Sequence, residues 1–399
     1  MYAAYCRTFQ SSLKLGMKFM DWRKPELIEG ENSLLQLPEL IKSLAYQKLL
    51  IVTDAGISKL KLMDPLLTEL EGKNIDYVIY DKTVPNPTFT NIEEALQLYH
   101  EGQCEAIIAF GGGSPMDCAK AVAAKVARPE KELAQLKGLF KIRKEIPTLF
   151  AVPTTAGTGS EGTVAAVVSN SETHEKFAIN DPVLIPHYAV LDPLLTVNLP
   201  KHITSTTGMD ALTHAVESYI GRSNTEETRK YSREAVKTIF KYLYRAYEDG
   251  TDIEARKQMQ RASYLAGLAF TRAYVGYVHA IAHTLGGFYQ VPHGYANAVI
   301  LPHVLRFYGD SAAKPLAELA NLVGVGQFGD SDETKAQLFI EAIEELNQKM
   351  DIPKKIEGIV NRDVPLMVER ALDEANPLYP VPKIANKDEM FYLYQIIQA

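Results

Sequence analysis

Aspartate and histidine residues at helical spacing form the pattern in this sequence that most strongly predicts a site for chemistry. Asp210 and His214 are four positions apart, so on a helix they face the same side. His279 and His283 repeat this spacing, and His293 follows in a Pro-His-Gly turn. Imidazoles with one carboxylate suit Fe(II), Zn(II), Co(II) or Ni(II) better than Mg(II) or Ca(II). Each histidine alone is explained as a hydrogen-bonded core residue, whereas the set favours a catalytic metal site with an open coordination position.

The residue after His279 separates two kinds of metal chemistry. A zinc protease helix reads His-Glu-x-x-His, and its glutamate is the general base. Ala280 stands in that position here, which argues against metal-assisted hydrolysis. The remaining histidines have no such spacing and are interpreted as structural or surface residues, namely His100, His174, His187, His202 and His303.

A glycine-rich turn predicts a phosphate-binding loop. Gly111, Gly112 and Gly113 follow the apolar run 106–110, and Ser114 opens and caps the next predicted helix. Without Cβ atoms the backbone can approach a phosphate, and the helix amide groups stabilise its charge. The motif is neither G-x-G-x-x-G nor a P-loop, so a purely structural turn is the alternative.

A second loop supports the nucleotide hypothesis. The segment 153–160 follows another apolar run and offers hydroxyl groups and exposed amides, which is typical of ligand sites at the carboxyl ends of parallel strands. Asp54 ends the first strand of this pattern, where a carboxylate accepts from a ribose diol and repels the extra phosphate of NADP. Capping of the next helix explains Asp54 equally well. Lys176 would neutralise a phosphate, although surface lysines are common.

Two kinds of element must position these residues. Short apolar runs such as 49–52 alternate with helical segments, which predicts a doubly wound parallel sheet with right-handed crossovers. Long amphipathic stretches then take over and β-branched runs nearly vanish. The sequence therefore predicts an α/β domain over residues 17–194 and an all-helical domain over residues 195–399.

Composition excludes several classes of protein. The chain has 399 residues, of which 46% are hydrophobic and 23% charged, as is typical of a globular protein with two or three domains. A net charge of −7 argues against a nucleic-acid partner, and every apolar run is too short for a membrane span. Three cysteines without C-x-x-C spacing favour a reducing cytoplasm.

The N-terminal segment differs from the rest of the chain. Residues 1–20 contain no acidic residue, and a transit peptide would look similar. The simpler interpretation is a loose leader over residues 1–16 that lies outside the fold, with Met17 as a candidate natural start.

Five sequence blocks together resemble the iron-containing (group III) alcohol dehydrogenases. The blocks are Pro-Asn-Pro at 85–87, Gly-Gly-Gly-Ser-Pro-Met-Asp at 111–117, Pro-Thr-Thr-Ala-Gly-Thr-Gly-Ser-Glu at 153–161, Gly-Met-Asp-Ala-Leu-Thr-His at 208–214, and the stretch 279–301. The resemblance runs from about residue 20 to the C-terminus. It implies the dehydroquinate synthase-like fold of that family, with a dinucleotide-binding α/β domain, a helical metal and substrate domain, and an active site in the cleft between them.

The resemblance also implies roles for individual residues. Its metal ligands, for Fe(II), match Asp210, His214, His279 and His293. His283 matches a catalytic histidine near the substrate and the nicotinamide, and Phe270 matches an aromatic residue of the substrate channel. The implied cofactor-binding residues are Asp54, Asn86, Gly112, Gly113, Ser114, Asp117, Thr154, Thr155, Thr158 and Lys176.

The activity that the resemblance implies is reversible hydride transfer between NAD(P)(H) and a small primary alcohol or diol, such as 1,2- or 1,3-propanediol or butanol. NAD is expected rather than NADP, zinc is expected to replace iron in protein isolated in air, and a homodimer or larger homo-oligomer is expected. The alternatives are an NAD- and zinc-dependent lyase or cyclase of the dehydroquinate synthase type and a glycerol dehydrogenase-like activity. The chain departs from the family pattern at residues 375–380, Ala-Asn-Pro-Leu-Tyr-Pro, where relatives often carry Asn-Pro-Arg near the substrate entrance.

Overall fold

The computed structural model describes residues 2–17, 20, 22–170 and 176–399. The chain divides into two units. Asp21–Asn198 form the first, here called the α/β unit, and Leu199–Ala399 form the second together with the N-terminal segment, here called the helical unit. His174 lies outside the described residues.

The α/β unit is built on parallel strands. The strands are β1 Glu26–Glu29, β2 Lys48–Val52, β3 Asp76–Tyr80, β4 Ala106–Gly111, β5 Gly138–Leu139, β6 Thr148–Pro153, β7 Ala165–Ser169, β8 Lys176–Asn180 and β9 Tyr188–Leu191. Within the described part of the chain, six of them form one sheet in the order β1-β9-β6-β4-β2-β3, and all of its pairings are parallel. In a smaller sheet β8 pairs antiparallel with β7 and parallel with β5. The predicted doubly wound parallel sheet is confirmed.

Helices cover both faces of the large sheet and make up most of the helical unit. In chain order they are α1 Tyr2–Met17, α2 Leu37–Ser43, α3 Ala55–Leu60, α4 Asp64–Gly72, α5 Phe89–Glu101, α6 Gly113–Ala127, α7 Lys201–Ile220, α8 Glu226–Glu248, α9 Ile253–Ala273, α10 Tyr277–Tyr289, α11 His293–Tyr308, α12 Ala313–Val323, α13 Asp332–Lys349, α14 Val364–Ala375 and α15 Lys387–Ile397. The predicted all-helical second half is confirmed.

The apolar runs of the strands explain why the sheet is covered on both faces. Successive residues of β2 point to opposite sides, so Leu50 and Val52 join one core with residues of α5 and α6. Leu49 and Ile51 join the other core with residues of α2 and α4. Because residues 49–52 are all apolar, this part of β2 has no face suited to solvent, and the doubly wound arrangement buries both faces.

The N-terminal helix α1 differs from the loose leader expected for residues 1–16. Cys6 is fully buried, and Gln10 is only 4% exposed. The side chains of Arg7 and Gln10 donate hydrogen bonds to backbone carbonyls within residues 377–382. Apolar periodicity did not reveal this docking because polar side chains make these contacts.

Two general properties of the described residues bear on the environment of the protein. Among the described residues, no helix combines the length and the apolar character that a membrane span needs. Cys6, Cys104 and Cys118 are free thiols, and all three are buried.

Candidate active site

The four residues predicted as metal ligands come together in the helical unit. One potential ligand atom from each of Asp210, His214, His279 and His293 lies within 4.8 Å of the others. The first two stand one turn apart on α7, the third lies on α10, and His293 is the first residue of α11. The structure thus gathers the predicted set at one point, and metal binding there remains a prediction.

The orientation of the cluster suits a cation. The side-chain nitrogen of Asn297 lies 2.7 Å from Asp210 Oδ1, 3.1 Å from His293 Nε2 and 3.3 Å from His279 Nε2. The side-chain amide nitrogen of Asn297 carries hydrogens and has no free lone pair. The three acceptor atoms named above therefore point towards this one electropositive group. Convergent imidazole and carboxylate lone pairs are the donor set that a divalent transition metal binds.

Glu217 orients His279, and the sequence analysis missed it. Its carboxylate lies 2.6 Å from His279 Nδ1 and accepts hydrogen bonds from the backbone N–H groups of Gly276 at 2.8 Å and Val278 at 2.9 Å. With the proton on Nδ1, the Nε2 lone pair of His279 is available to the cluster. Glu217 lies three positions after His214 on the same helix, and that spacing was the signal available in the sequence.

Burial controls the charge of this pair. Burial, followed by the three neighbouring imidazoles, lowers the pKa of His279 well below its usual value. Burial also raises the pKa of Glu217, and the N–H groups that it accepts from oppose that change. A neutral imidazole is the form that coordinates a metal, so the surroundings of His279 favour the ligating state.

His283 lies beside the four-residue cluster rather than within it. Its ring stacks on that of His293 with a centroid separation of 5.1 Å, and its Nδ1 lies 2.6 Å from Glu374 Oε1. The Tyr379 hydroxyl donates to the same carboxylate oxygen at 2.8 Å. Glu374 and Tyr379 were missed because they lie about ninety residues from His283 and share no spacing with it. Phe270, predicted at the substrate channel, stacks on the ring of the candidate ligand His214 with a centroid separation of 4.2 Å.

In the α/β unit, the two predicted cofactor loops touch each other. They follow β4 and β6, and the N–H of Thr154 donates to the carbonyl of Gly111 at 3.0 Å. Gly111 has a φ of +147°, which L side chains rarely adopt, and a Cβ on Gly113 would lie 2.8 Å from Thr158 Cγ2. Gly112 occupies the N-cap of α6, so the prediction that Ser114 caps this helix is wrong. The N-cap lies two residues earlier than predicted, at a glycine, which is itself a favoured N-cap residue.

Three further predicted cofactor residues form a connected group. The backbone N–H of Asn86 donates to Ser114 Oγ at 3.3 Å, and Lys176 Nζ donates to Asn86 Oδ1 at 2.7 Å. Thr155 lies next to Gly112, since its side chain would be 3.5 Å from a Cβ at that position. The structure therefore brings residues from distant parts of the sequence to the start of α6, where helix amide groups favour a phosphate.

Asp54 is a helix cap in the structure. Its Oδ1 accepts from the backbone N–H groups of Gly56 at 2.8 Å and Ile57 at 3.0 Å. Its Oδ2 lies 3.6 Å from the place of a Cβ on Gly111, so the carboxylate adjoins the glycine loop. The two interpretations of Asp54 are compatible because capping uses one oxygen, and its role with ribose stays a prediction.

A buried lysine that the sequence analysis missed fixes the second loop. Lys120 Nζ, fully buried, donates to the carbonyl oxygens of Ser160 at 2.7 Å, Thr163 at 2.9 Å and Ala165 at 3.0 Å. Asp117, predicted to bind cofactor, accepts from Ser160 Oγ at 3.2 Å. Burial lowers the pKa of Lys120 to about 8 and raises that of Asp117 to about 6. Lys120 and Asp117 therefore fix the loop after β6 through hydrogen bonds to residues within 160–165.

We expect Lys120→Met to destabilise the α/β unit and to weaken NADH binding. The substitution leaves buried carbonyl oxygens without a donor and the Asp117 carboxylate without its cation, which costs about 3–5 kcal/mol of unfolding free energy. Urea unfolding and NADH titration measure the two effects. Lys59→Met, at an exposed position of α3, is the control and should match the wild type. Wild-type stability and NADH affinity in the Lys120 variant would contradict this role.

Two family profiles match nearly the whole chain. The profile described as "Iron-containing alcohol dehydrogenase" matches residues 25–193, and that described as "Fe-containing alcohol dehydrogenase family, C-terminal" matches residues 204–397. The chain belongs to the iron-containing alcohol dehydrogenase family. It is therefore an oxidoreductase of a family that uses iron and NAD, and its homologues include NAD-binding and NAD-dependent enzymes.

Individual members of the iron-containing alcohol dehydrogenase family resemble the chain over most of its length. A 1,3-propanediol dehydrogenase of Citrobacter freundii is 38% identical over 370 residues, which cover 92% of this chain and 95% of the relative. Lactaldehyde reductase of Escherichia coli K12 is 35% identical over 348 residues, covering 86% and 91% of the two chains. The crystal structure of a 1,3-propanediol oxidoreductase superposes with a TM-score of 0.90 at 37% identity, covering 94% and 99%. The fold class predicted from the sequence is confirmed.

Proposed function

We propose that this member of the family catalyses reversible hydride transfer between NAD(H) and a small primary alcohol or diol, such as 1,2- or 1,3-propanediol or butanol. The observation that carries the proposal is the convergence of Asp210, His214, His279 and His293 within 4.8 Å. The relatives that act on propanediol and lactaldehyde support the size of the substrate.

The residues present fit both groups that the reaction needs. Asp210, His214, His279 and His293 would hold Fe(II), and the loops that follow β2, β4 and β6 would hold NAD. When bound, Fe(II) supplies Lewis-acid polarisation of the alcohol oxygen, and NAD supplies the hydride acceptor.

The chain's own side chains then orient the ligands and the proton-transfer group. Glu217 keeps the proton of His279 on Nδ1 through the 2.6 Å contact. Glu374 does the same for His283, whose Nε2 is then available to exchange a proton with the substrate hydroxyl. Phe270 covers one face of the His214 ring and excludes water from it.

Nicotinamide oxidation in Fe(II)-loaded protein tests the proposal. We expect NADH consumption with glycolaldehyde, lactaldehyde, propanal or butanal, and stoichiometric NADH formation from the corresponding alcohol in the reverse direction. A lyase or cyclase of the dehydroquinate synthase type regenerates its NAD and would accumulate no NADH. If Fe(II)-loaded protein turned over none of the aldehydes or alcohols, the proposed reaction would be rejected.

The identity of the bound metal should depend on the preparation. Divalent Fe binds nitrogen and oxygen donors more weakly than Zn(II), so protein purified in air is expected to carry zinc or little metal. Anaerobic addition of Fe(II) after chelation should raise the turnover number. Metal analysis by mass spectrometry, alongside the NADH assay, measures both quantities. An activity that is insensitive to chelation and to Fe(II) would exclude iron as the cofactor.

We propose NAD rather than NADP as the cofactor, since a phosphate on the ribose would meet the Asp54 carboxylate beside the glycine loop. The ratio of kcat/KM for NADH and NADPH measures this preference, and Asp54→Asn should lower it. Equal use of both cofactors by the wild type would refute the assignment.

We further propose a cytoplasmic location and a homodimer or larger homo-oligomer. Three buried free thiols suit a reducing compartment, and the family resemblance implies the assembly. Light scattering on the purified protein gives the number of chains, and a monomer would refute that part.

A further inference from the structure

The N-terminal helix α1 is attached to one irregular segment, residues 377–382, by side-chain donors. Arg7 donates to the carbonyl oxygens of Val381 at 2.7 Å and Pro382 at 2.9 Å. Gln10 donates to those of Pro377 at 3.1 Å and Tyr379 at 2.8 Å. Two side chains one turn apart on α1 therefore bind four carbonyl groups of a six-residue segment.

The composition of the segment explains why it needs outside donors. It reads Pro-Leu-Tyr-Pro-Val-Pro, and its prolines have no backbone N–H. Such a segment cannot form a ladder with a neighbouring strand, so its carbonyl groups must find other donors when they are buried. Pro380 accepts from the backbone N–H of Arg222 at 2.7 Å, and Tyr379 accepts from that of Val381 at 2.9 Å in addition to Gln10. Side chains of α1 supply donors for Pro377, Val381 and Pro382.

The attachment of α1 uses groups that are costly to bury. Burial lowers the pKa of Arg7, and within the described residues its hydrogen bonds go to neutral oxygens, one of them the Gln10 side chain at 2.9 Å. Arg7 is half-buried, and a partly desolvated guanidinium without a carboxylate partner needs hydrogen-bond acceptors for its N–H groups. The docking of α1 is thus specific in geometry rather than a loose apolar contact.

The segment that α1 binds contacts Glu374, the carboxylate that is hydrogen-bonded to His283. While the carbonyl of Tyr379 accepts from Gln10, its hydroxyl donates to Glu374 Oε1 at 2.8 Å. The same oxygen lies 2.6 Å from His283 Nδ1. A continuous series of hydrogen bonds therefore joins α1 to His283, and every residue of it belongs to the helical unit.

We propose that α1 is a positioning element of the active site, in which Arg7 and Gln10 fix residues 377–382 so that Tyr379 and Glu374 hold the imidazole of His283. The catalytic consequence rests on the proposed function of His283. The structural consequence is a fixed hydrogen bond between His283 Nδ1 and Glu374, and it does not depend on that proposed function.

Point substitutions in the full-length, metal-loaded protein test the kinetic consequence. Gln10→Glu keeps the size of the side chain and its contact with Arg7 but places a carboxylate against two carbonyl oxygens. We expect kcat for the aldehyde to fall about 10-fold, because misplacement of a group outside the site is enough to lower the rate, while KM for NADH and the metal content stay unchanged. Ser12→Ala, on the exposed side of the same helix, is the control and should match the wild type.

A double-mutant cycle with Tyr379→Phe separates positioning from a general loss of stability. Tyr379→Phe removes the hydroxyl that binds Glu374 and should lower kcat by a similar factor. If α1 acts through this hydroxyl, the double variant should be little worse than either single variant. The proposal would be overturned if the fold-loss of kcat in the double variant equalled the product of the two single losses. It would also be overturned if Gln10→Glu kept the wild-type kcat.

Proton NMR of the zinc-loaded protein, with isotope-labelled histidine, gives a readout that needs no turnover. His279 and His283 each hold a carboxylate at 2.6 Å, so each should give a strongly downfield Nδ1–H resonance. In Gln10→Glu the His283 resonance should shift or broaden, whereas that of His279 should stay in place. An unchanged His283 resonance would refute the proposal even if the wild type proved inactive, and inactivity with the expected NMR change would reject only the proposed reaction.

Discussion

Replacement of His279 by alanine is expected to abolish both metal binding and alcohol oxidation. His279 is almost fully buried, and it is the cluster residue held by Glu217. Without it, two imidazoles and a carboxylate remain, and the open position left by the ring admits water. Lewis-acid activation supplies several kcal/mol of the barrier reduction, and each 1.36 kcal/mol is tenfold in rate, so kcat/KM should fall by about 10³-fold or more.

The measurement pairs metal content with turnover after anaerobic Fe(II) loading and gel filtration. His303→Ala is the matched control, since His303 lies on α11, the helix that begins with His293, but binds the carbonyl of Lys354 at 3.1 Å. It should keep its metal and its activity. Equal losses in the two variants would mean that the histidines stabilise the helical unit and that the cluster is not a catalytic metal site.

Replacement of Glu217 by glutamine is expected to weaken metal binding without emptying the site. The amide cannot accept from all three of the donors that the carboxylate serves, so one of its N–H groups must face a backbone N–H or the His279 ring. The His279 proton is then no longer confined to Nδ1. Loss of such a partner typically lowers metal affinity about 10–100-fold.

Competition with a coloured chelator measures the affinity of the Glu217 variant for Zn(II) or Co(II), and the Co(II) absorption spectrum reports the ligand geometry. Glu369→Gln, at an exposed position of α14, changes the same functional group at the surface and should leave both unchanged. A variant with wild-type affinity and spectrum would show that Glu217 only satisfies the backbone of residues 276–278.

The sequence predicted the parts of the protein whose information is local. Strand β2 is apolar at four consecutive positions, 49–52, which indicates burial on both faces and hence a parallel sheet between helix layers. The pairs Asp210/His214 on α7 and His279/His283 on α10 were visible because four residues make about one helical turn. Family membership followed from short contiguous blocks, and the comparisons confirm it.

The residues that support the site could not be predicted from the sequence, because their contacts depend on which faces of distant elements pack together. The bond between Glu217 and His279 spans 62 positions, and that between Glu374 and His283 spans 91. In the sequence, Lys120 is simply one of the polar residues of α6. Its role is apparent only in the structure, where the loop after β6 packs against its ammonium group. Neither helical period nor strand alternation carries such information.

The sequence by itself determined the family, the parallel sheet and the four aspartate and histidine residues that come together, because motifs and periodicity are properties of adjacent positions. Only the tertiary structure decided that α1 is part of the fold and reaches His283 through Tyr379 and Glu374. Its hydrogen bonds join residues at opposite ends of the chain, up to 375 positions apart, and depend on carbonyl groups that every residue type carries. The donors are therefore visible in the sequence, while the identity of their acceptors is set by packing alone.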